Sequence, residues 1–335
     1  MVAYIDLSYE AKDEIRSSQE ISSEKAWVAS NLKKEDWLIP INEEALFEIK
    51  LMIQHMQSYP LPILLRRPDQ FNIPRLREIY KKCKNILDNG VGFSVIDKLP
   101  IDEFEVDVII EVYWILGQLI GPNVAQKWDG TMIYDVKDTE KKYGYGVRGS
   151  ATSVELVFHT DNSFGVKVPD YVGLFCKNHA KSGGLSRFCS LYSVHNRMQR
   201  KYPKELARLY QPVYFDRQAE HALREPKLSF APFFSWSHDK LRCRANTALI
   251  KKGYEISGKK MDLSLVHAIE AIDEVTSSPD LWVEAPLSRG EVQYLSNHDL
   301  GHYRSDFKDF KDLNKKRHLY RLWHRSEGSI SYDGQ

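Results

Sequence analysis

The sequence predicts a mainly β fold with helical inserts, a barrel or jelly roll, and three features of the 335-residue chain carry that expectation. Short apolar runs broken by turn residues recur at 154–161, 171–176, 186–191, 241–246, 291–296 and 317–323. These runs do not alternate with helices, as a doubly wound parallel sheet requires. Residues 1–90, by contrast, read as mainly helical.

Leu76, Ile79, Tyr80, Cys83, Ile86 and Leu87 fall at helical spacing, and Asn89-Gly90 ends that helix. VGFSVID (91–97) follows as a short strand, then Pro100 and a helix over 106–120. That helix is interrupted by Asp107 and Glu111 and is too short to span a bilayer, so it reads as buried. Helical inserts are expected around 193–209 and 262–276. The division is therefore 1–90, a mainly helical region packing on the barrel, and 91–335, the barrel core with its inserts. LPILLRRP (61–68), in the amphipathic N-terminal third, packs on the barrel or serves a dimer interface, and a homo-oligomer stays open. There is no internal repeat, and DVKDTEKK (135–142) reads as a solvated loop.

The composition, 42% hydrophobic and 28% charged with net charge +1, is that of a soluble globular protein. It gives no electrostatic reason to expect nucleic acid or an anionic membrane as partner. The opening MVAYIDLSYEAKDEIRSS carries acids early and has no apolar core, so it is not a secretory signal. The four cysteines are scattered with no CxxC pair, which fits free thiols in a reducing cytoplasm.

Gly144-Tyr145-Gly146-Val147-Arg148-Gly149 matches the dinucleotide fingerprint letter for letter. A charged loop precedes it and a β pattern follows, where the fingerprint needs a strand and then a helix. A loop at the barrel mouth is the better reading. In FHTDNSF (158–164), His159 and Asp161 sit at i and i+2 of a strand and share a face. Alone, such a pair is more often a structural hydrogen bond. A third ligand is offered by GEVQYLSNHDLGHYR (290–304), where His298 and His302 follow a strand. Two histidines and one carboxylate leave about three octahedral positions open, as in non-haem Fe(II) oxygenases. In KRHLYRLWHR (316–325), alternation puts Arg317, Leu319, Arg321 and Trp323 on one face. Inward arginines need anions, either a structural Asp or a bound dicarboxylate.

HTD (159–161), Gly183-Gly184-Leu185-Ser186, Asn297-x4-His302-x-Arg304 and Arg317-x3-Arg321, in that order, resemble the taurine/2,4-D dioxygenase superfamily (clavaminate synthase-like members included) over roughly residues 90–325. The resemblance implies a double-stranded β-helix, Fe(II) and the co-substrate 2-oxoglutarate, with O2 as oxidant. It implies His159, Asp161 and His302 as iron ligands, His302 being preferred over His298 because it keeps the family's spacing. Ser186, where relatives usually carry Thr, and Arg317 would hold the distal carboxylate of 2-oxoglutarate. Arg321 is the second arginine of that motif, touching co-substrate or substrate. The implied reaction is hydroxylation of an unactivated C–H in a small polar metabolite, an amino acid or derivative, releasing succinate and CO2. Desaturation, epimerisation and cyclisation share the same ligands. Related halogenases lack the carboxylate, so Asp161 argues for oxygen chemistry.

Glu155 shares the strand face of His159 and Asp161, and either salt-bridges Arg148 or another arginine or grips a cationic substrate group. Arg217, Glu220 and His221 form a lid or an exposed loop held by its own ion pairs. Arg244 and Asn246 share a face of LRCRAN and could line the barrel, and Asn162 could orient Asp161 or meet substrate. His55, His179, His195, His238 and His267 have no partner at ligand spacing and take surface or capping roles. Two other classes remain: a non-catalytic barrel that binds a small ligand, and a cupin-type metalloenzyme. The first would lack a ligand or anchor, and the second would leave the paired arginines without a task.

Overall fold

A computed structural model describes residues 2–12, 20–142, 144, 146–237 and 240–334. His238 and Tyr145 lie outside the described residues. The expected jelly roll forms from two sheets. The larger, seven-stranded sheet runs Leu38–Ile39, Phe93–Ile96, Val292–Ser296, Tyr171–Asn178, His318–His324 and Asn123–Val124, with Tyr134–Val136 also paired to His318–His324. The smaller, four-stranded sheet orders Trp282–Glu284, Ser186–Ser190, Leu300–Arg304 and Leu156–His159. Phe93 from one sheet stacks on Phe188 from the other, with ring centroids 4.5 Å apart, so the apolar sides face each other. Burial of these alternate residues drives closure.

The helix at 76–87 spans Pro74–Asn89, and the one at 106–120 spans Val106–Gly117. Together with Glu43–Ser58 they cover the outer side of the larger sheet in one apolar cluster that includes Met52, Leu76, Val112 and Tyr294. Gly173 lets them approach: a Cβ there would stand 2.7 Å from the Tyr113 hydroxyl. The expected 193–209 helix is two, Leu191–Lys201 and Pro203–Leu209, because Pro203 has no amide hydrogen to continue the first. Leu263–Thr276 follows expectation. Of residues 241–246, Asn246 lines the cavity beside His159, as expected, and Arg244 does not. Lys240–Cys243 pairs only with Phe234–Ser237 in a separate hairpin. Within 1–90, Leu38–Ile39 joins the larger sheet in parallel with Phe93–Ile96.

Two histidines are built into the interior without charge. His195 Nε2 lies 2.7 Å from the Tyr210 hydroxyl, and His324 Nδ1 lies 3.0 Å from the Gly121 carbonyl. Burial pushes both imidazoles down to about 4. An unfolded histidine titrates near ~6.5, so between there and about 4 the unfolded chain binds protons that the folded chain refuses. Stability therefore falls as pH drops through that window, by up to ~1.4 kcal/mol per pH unit for each histidine. Melting curves at pH 7, 6 and 5 (values set by that ~6.5 reference) check this. A flat melting temperature across the window contradicts it.

Candidate active site

The antiparallel pairing of Leu156–His159 with Leu300–Arg304 sets His302 directly opposite His159. Their rings lie 4.2 Å apart. Asp161 follows two residues after His159, and its Oδ1 is 3.8 Å from His159 Nε2 and 3.5 Å from His302 Nε2. Ligand atoms of these three residues all lie within 4.8 Å of one another. His159 Nδ1 is 2.7 Å from the Val157 carbonyl and donates to it, which leaves Nε2 bare for a metal. Burial, with His302 adding to it, pushes the His159 imidazole down to about 3. It is neutral across the physiological range, as a ligand must be.

Asp161 divides its two oxygens. Oδ1 faces the histidines, while Oδ2 accepts from Arg321 Nη1 at 2.8 Å and from Trp323 Nε1 at 2.8 Å. Burial by itself raises the carboxyl, but Arg321, His302 and His159 outweigh it and hold the group well below the usual carboxylate range. The backbone is gripped too. Asn297 Oδ1 accepts from the Asp161 amide at 2.8 Å, and its Nδ2 donates to the Asp161 carbonyl at 2.9 Å. The donor set, two imidazoles and one ionised oxygen, fits a divalent iron with open positions.

At the other end of the cavity two guanidiniums meet no carboxylate among the described residues. Arg304 and Arg317 are 6% and 5% exposed, and each packs over the Phe307 ring, at 4.9 and 5.1 Å from its centroid. Arg304 donates to the Thr152 and Val154 carbonyls. Its Nε and Nη1, and Arg317 Nη1, are buried with no partner among the described residues. Burial, reinforced by the neighbouring Arg317, pushes Arg304 down to about 9, and burial brings Arg317 to about 10. Gly183 and Gly184 turn with φ of 74° and 67°, which brings Gly184 against Arg317 Nε and presents Ser186 on the same wall. The cavity between the two ends holds about 250 Å³, lined by apolar Leu156, Leu174 and Phe188 among others.

Several sequence expectations are corrected here. Arg321 lies against Asp161, and its Nε donates to Gln126 Oε1 at 2.8 Å, so it secures the Asp161 carboxylate, while it also lines the cavity and keeps a buried Nη2 with no partner among the described residues. Glu155 lines the cavity but has no arginine: it accepts from the Tyr303 hydroxyl, while Arg148 pairs with Glu220 at 2.9 Å. Asn162 turns away from Asp161 to Tyr332 and Lys167. Arg217 is buried against Glu225 and the Pro226 carbonyl, outside the cavity lining. Arg244 is an internal brace, bonded to Glu10 and to the Ser163 and Gly165 carbonyls. In the last two a buried guanidinium has already found its anion or carbonyls and has nothing to offer a substrate. His298 faces the other way, with Nε2 3.3 Å from Asp170. Gln126 carries no signal in the sequence, and Asn297, Trp323 and Arg304 lie in its motifs without an assigned role. For Arg304 the signal was present, a charged residue at i+2 from His302 on the same strand face.

This fold and donor set make a candidate metal centre of the two-histidine, one-carboxylate type on a jelly roll. Residues 58–323 match the sequence profile of the "Taurine catabolism dioxygenase TauD, TfdA family", and the chain belongs to that family. It is thus a non-haem iron dioxygenase that uses Fe(II), 2-oxoglutarate and O2. Similar proteins include FR-33289 synthase of Streptomyces rubellomurinus, 26% identical over 75% of this chain and 74% of that one. The taurine hydroxylase-like protein SAT17 of Stachybotrys chartarum is 24% identical over 92% and 80%. Among solved structures, asparagine oxygenase with Fe(II), 2S,3S-3-hydroxyasparagine and succinate aligns at TM-score 0.66 and 17% identity, covering 87% of this chain and 94% of that one. The oxygenase OrfP with Fe and α-ketoglutaric acid aligns at 0.61 and 15%, with the same coverage. Among the described residues no helix is long and apolar enough to cross a membrane.

Proposed function

We propose that this chain hydroxylates an unactivated C–H bond of a small polar metabolite, an amino acid or a derivative of one, with release of succinate and CO2. The observation that carries the reading is the unpaired couple Arg304–Arg317 in the same cavity as His159, Asp161 and His302. Two buried cations sharing one wall need a dicarboxylate end to neutralise them.

In this reading His159, Asp161 and His302 hold the iron, and Arg317, Arg304 and Ser186 hold the distal carboxylate of 2-oxoglutarate. Bound iron supplies the oxidising chemistry. The chain's own part is placement. Arg321 and Trp323 keep Asp161 ionised and directed at the metal, and Asn297 fixes its backbone. The apolar lining keeps bulk water from the cavity. Residues 1–90 are taken as a mainly helical region against the 91–335 oxygenase core. The amino-acid products named for asparagine oxygenase and for OrfP support the substrate class.

Succinate formation with Fe(II), 2-oxoglutarate and O2, measured across a panel of amino acids and their N-acyl and phosphonate analogues, tests this. At least one should stimulate succinate release and gain one oxygen atom by mass spectrometry. A product that has lost hydrogen without gaining oxygen would replace hydroxylation by desaturation or ring closure. No stimulation by any of them would sink the substrate class.

A further inference from the structure

The chain continues past the strand that carries Arg321 and Trp323, and its last residues return to the metal centre. We propose that Tyr332 is a positioning residue for that centre, acting through Asn162 to fix the 161–167 turn from which Asp161 projects. The inference rests on the reading of His159, Asp161 and His302 as iron ligands.

Tyr332 is 6% exposed, and its hydroxyl donates to Asn162 Oδ1 at 3.0 Å. Asn162, the residue after the metal carboxylate, has φ of 54°, a left-handed conformation that asparagine adopts more readily than most side chains. Its carbonyl accepts from the Gly165 amide at 2.9 Å, and its Nδ2 donates to the Lys167 carbonyl at 3.4 Å. A Cβ on Gly165 would stand 2.2 Å from that Nδ2, so the asparagine side chain has one place to be. Asn297 holds the turn on the Asp161 side, and Tyr332 holds it one residue further on.

The tail itself is pinned. Arg325, 5% exposed, donates through Nη2 to the Ser331 carbonyl at 2.6 Å. Its Nη1 is 3.3 Å from the Lys167 carbonyl, the acceptor Asn162 also uses. The Ala125 amide donates to the Ile330 carbonyl at 2.9 Å. Tail and turn therefore share partners, and a shift of one is felt by the other. Removing only the Tyr332 hydroxyl would leave Asn162 Oδ1 buried without its donor, and the strained turn would relax to recover one.

The test uses the full chain as Tyr332→Phe, Asn162→Gly and the double variant. Glycine keeps the left-handed backbone and removes the acceptor. The readouts are anaerobic Fe(II) affinity, the visible spectrum of the Co(II)-substituted protein, and the melting temperature. Outer-shell partners of metal ligands are worth about 10- to 100-fold in affinity, and we expect Tyr332→Phe near ~10-fold. The Co(II) bands should shift while the melting temperature stays near the parent. The double variant should be no worse than Asn162→Gly alone, because the two side chains act as one unit. Parental Fe(II) affinity and Co(II) spectrum in Tyr332→Phe would overturn the proposal, and so would additive losses in the double variant. A wild-type chain that binds no Fe(II) would overturn the iron reading, and this inference with it.

Discussion

Exchanging Arg317 for methionine should weaken 2-oxoglutarate binding by about 100-fold or more, while leaving the ligand-free protein as stable as the parent or more stable. Truncating one partner of a buried, hydrogen-bonded charge pair costs roughly 2–5 kcal/mol, which is about 30- to several-thousand-fold in affinity. The sign of the stability effect is the diagnostic part. Without a dicarboxylate, Arg304 and Arg317 are two buried cations on one aromatic ring, each with a donor that has no partner among the described residues. An apolar side chain of similar volume removes that repulsion and is neutral or stabilising. Titration with 2-oxoglutarate in the presence of Fe(II), together with a melting curve of the ligand-free protein, separates the two effects. Unchanged affinity would show that the couple holds something else. A large loss of stability would show that Arg317 is a structural residue.

Asp161→Ala should abolish metal binding and also destabilise the fold by about 3–5 kcal/mol, the usual effect of leaving one member of a buried ion pair alone. The uncompensated group is Arg321, buried with Asp161 as its ion-pair partner among the described residues. Adding Arg321→Met to Asp161→Ala should recover most of the stability and none of the metal affinity. Chemical denaturation and Fe(II) titration of the single and double variants check this. If Asp161→Ala alone is as stable as the parent, Arg321 has another anion, and the account of how Asp161 is held is wrong.

The candidate metal site was legible because His159 and Asp161 keep a spacing of two at a strand end and His302 keeps the Asn297-x4-His302-x-Arg304 spacing of the resembled family. A period of two suffices for the His159–Asp161 spacing, whereas the strand that sets His302 opposite His159 is not itself legible. A guanidinium's contact depends on which anion the fold brings to it, and sequence alone does not set that. Arg321, Arg317, Arg244, Arg217 and Arg148 look alike in sequence. Among the described residues the fold gives them Asp161, no carboxylate, Glu10, Glu225 and Glu220 respectively. Three of those acids come from segments that periodicity does not place. The Leu300–Arg304 strand was missed because Gly301 and two polar neighbours break the apolar alternation. That omission hid Arg304. The Lys240–Cys243 run was placed in the barrel because a short alternating strand reads the same whichever sheet receives it.

The central claim is that His159, Asp161 and His302 hold an iron to which 2-oxoglutarate binds, anchored by Arg317. Anaerobic titration of the protein with Fe(II) and 2-oxoglutarate, followed by the weak visible charge-transfer band of the chelate, tests it most directly. The account predicts a band in the wild type that persists in His298→Ala, disappears in His302→Ala and needs far more 2-oxoglutarate in Arg317→Met. A wild-type protein that shows no band at saturating Fe(II) and 2-oxoglutarate, or a band that survives His302→Ala, would contradict it.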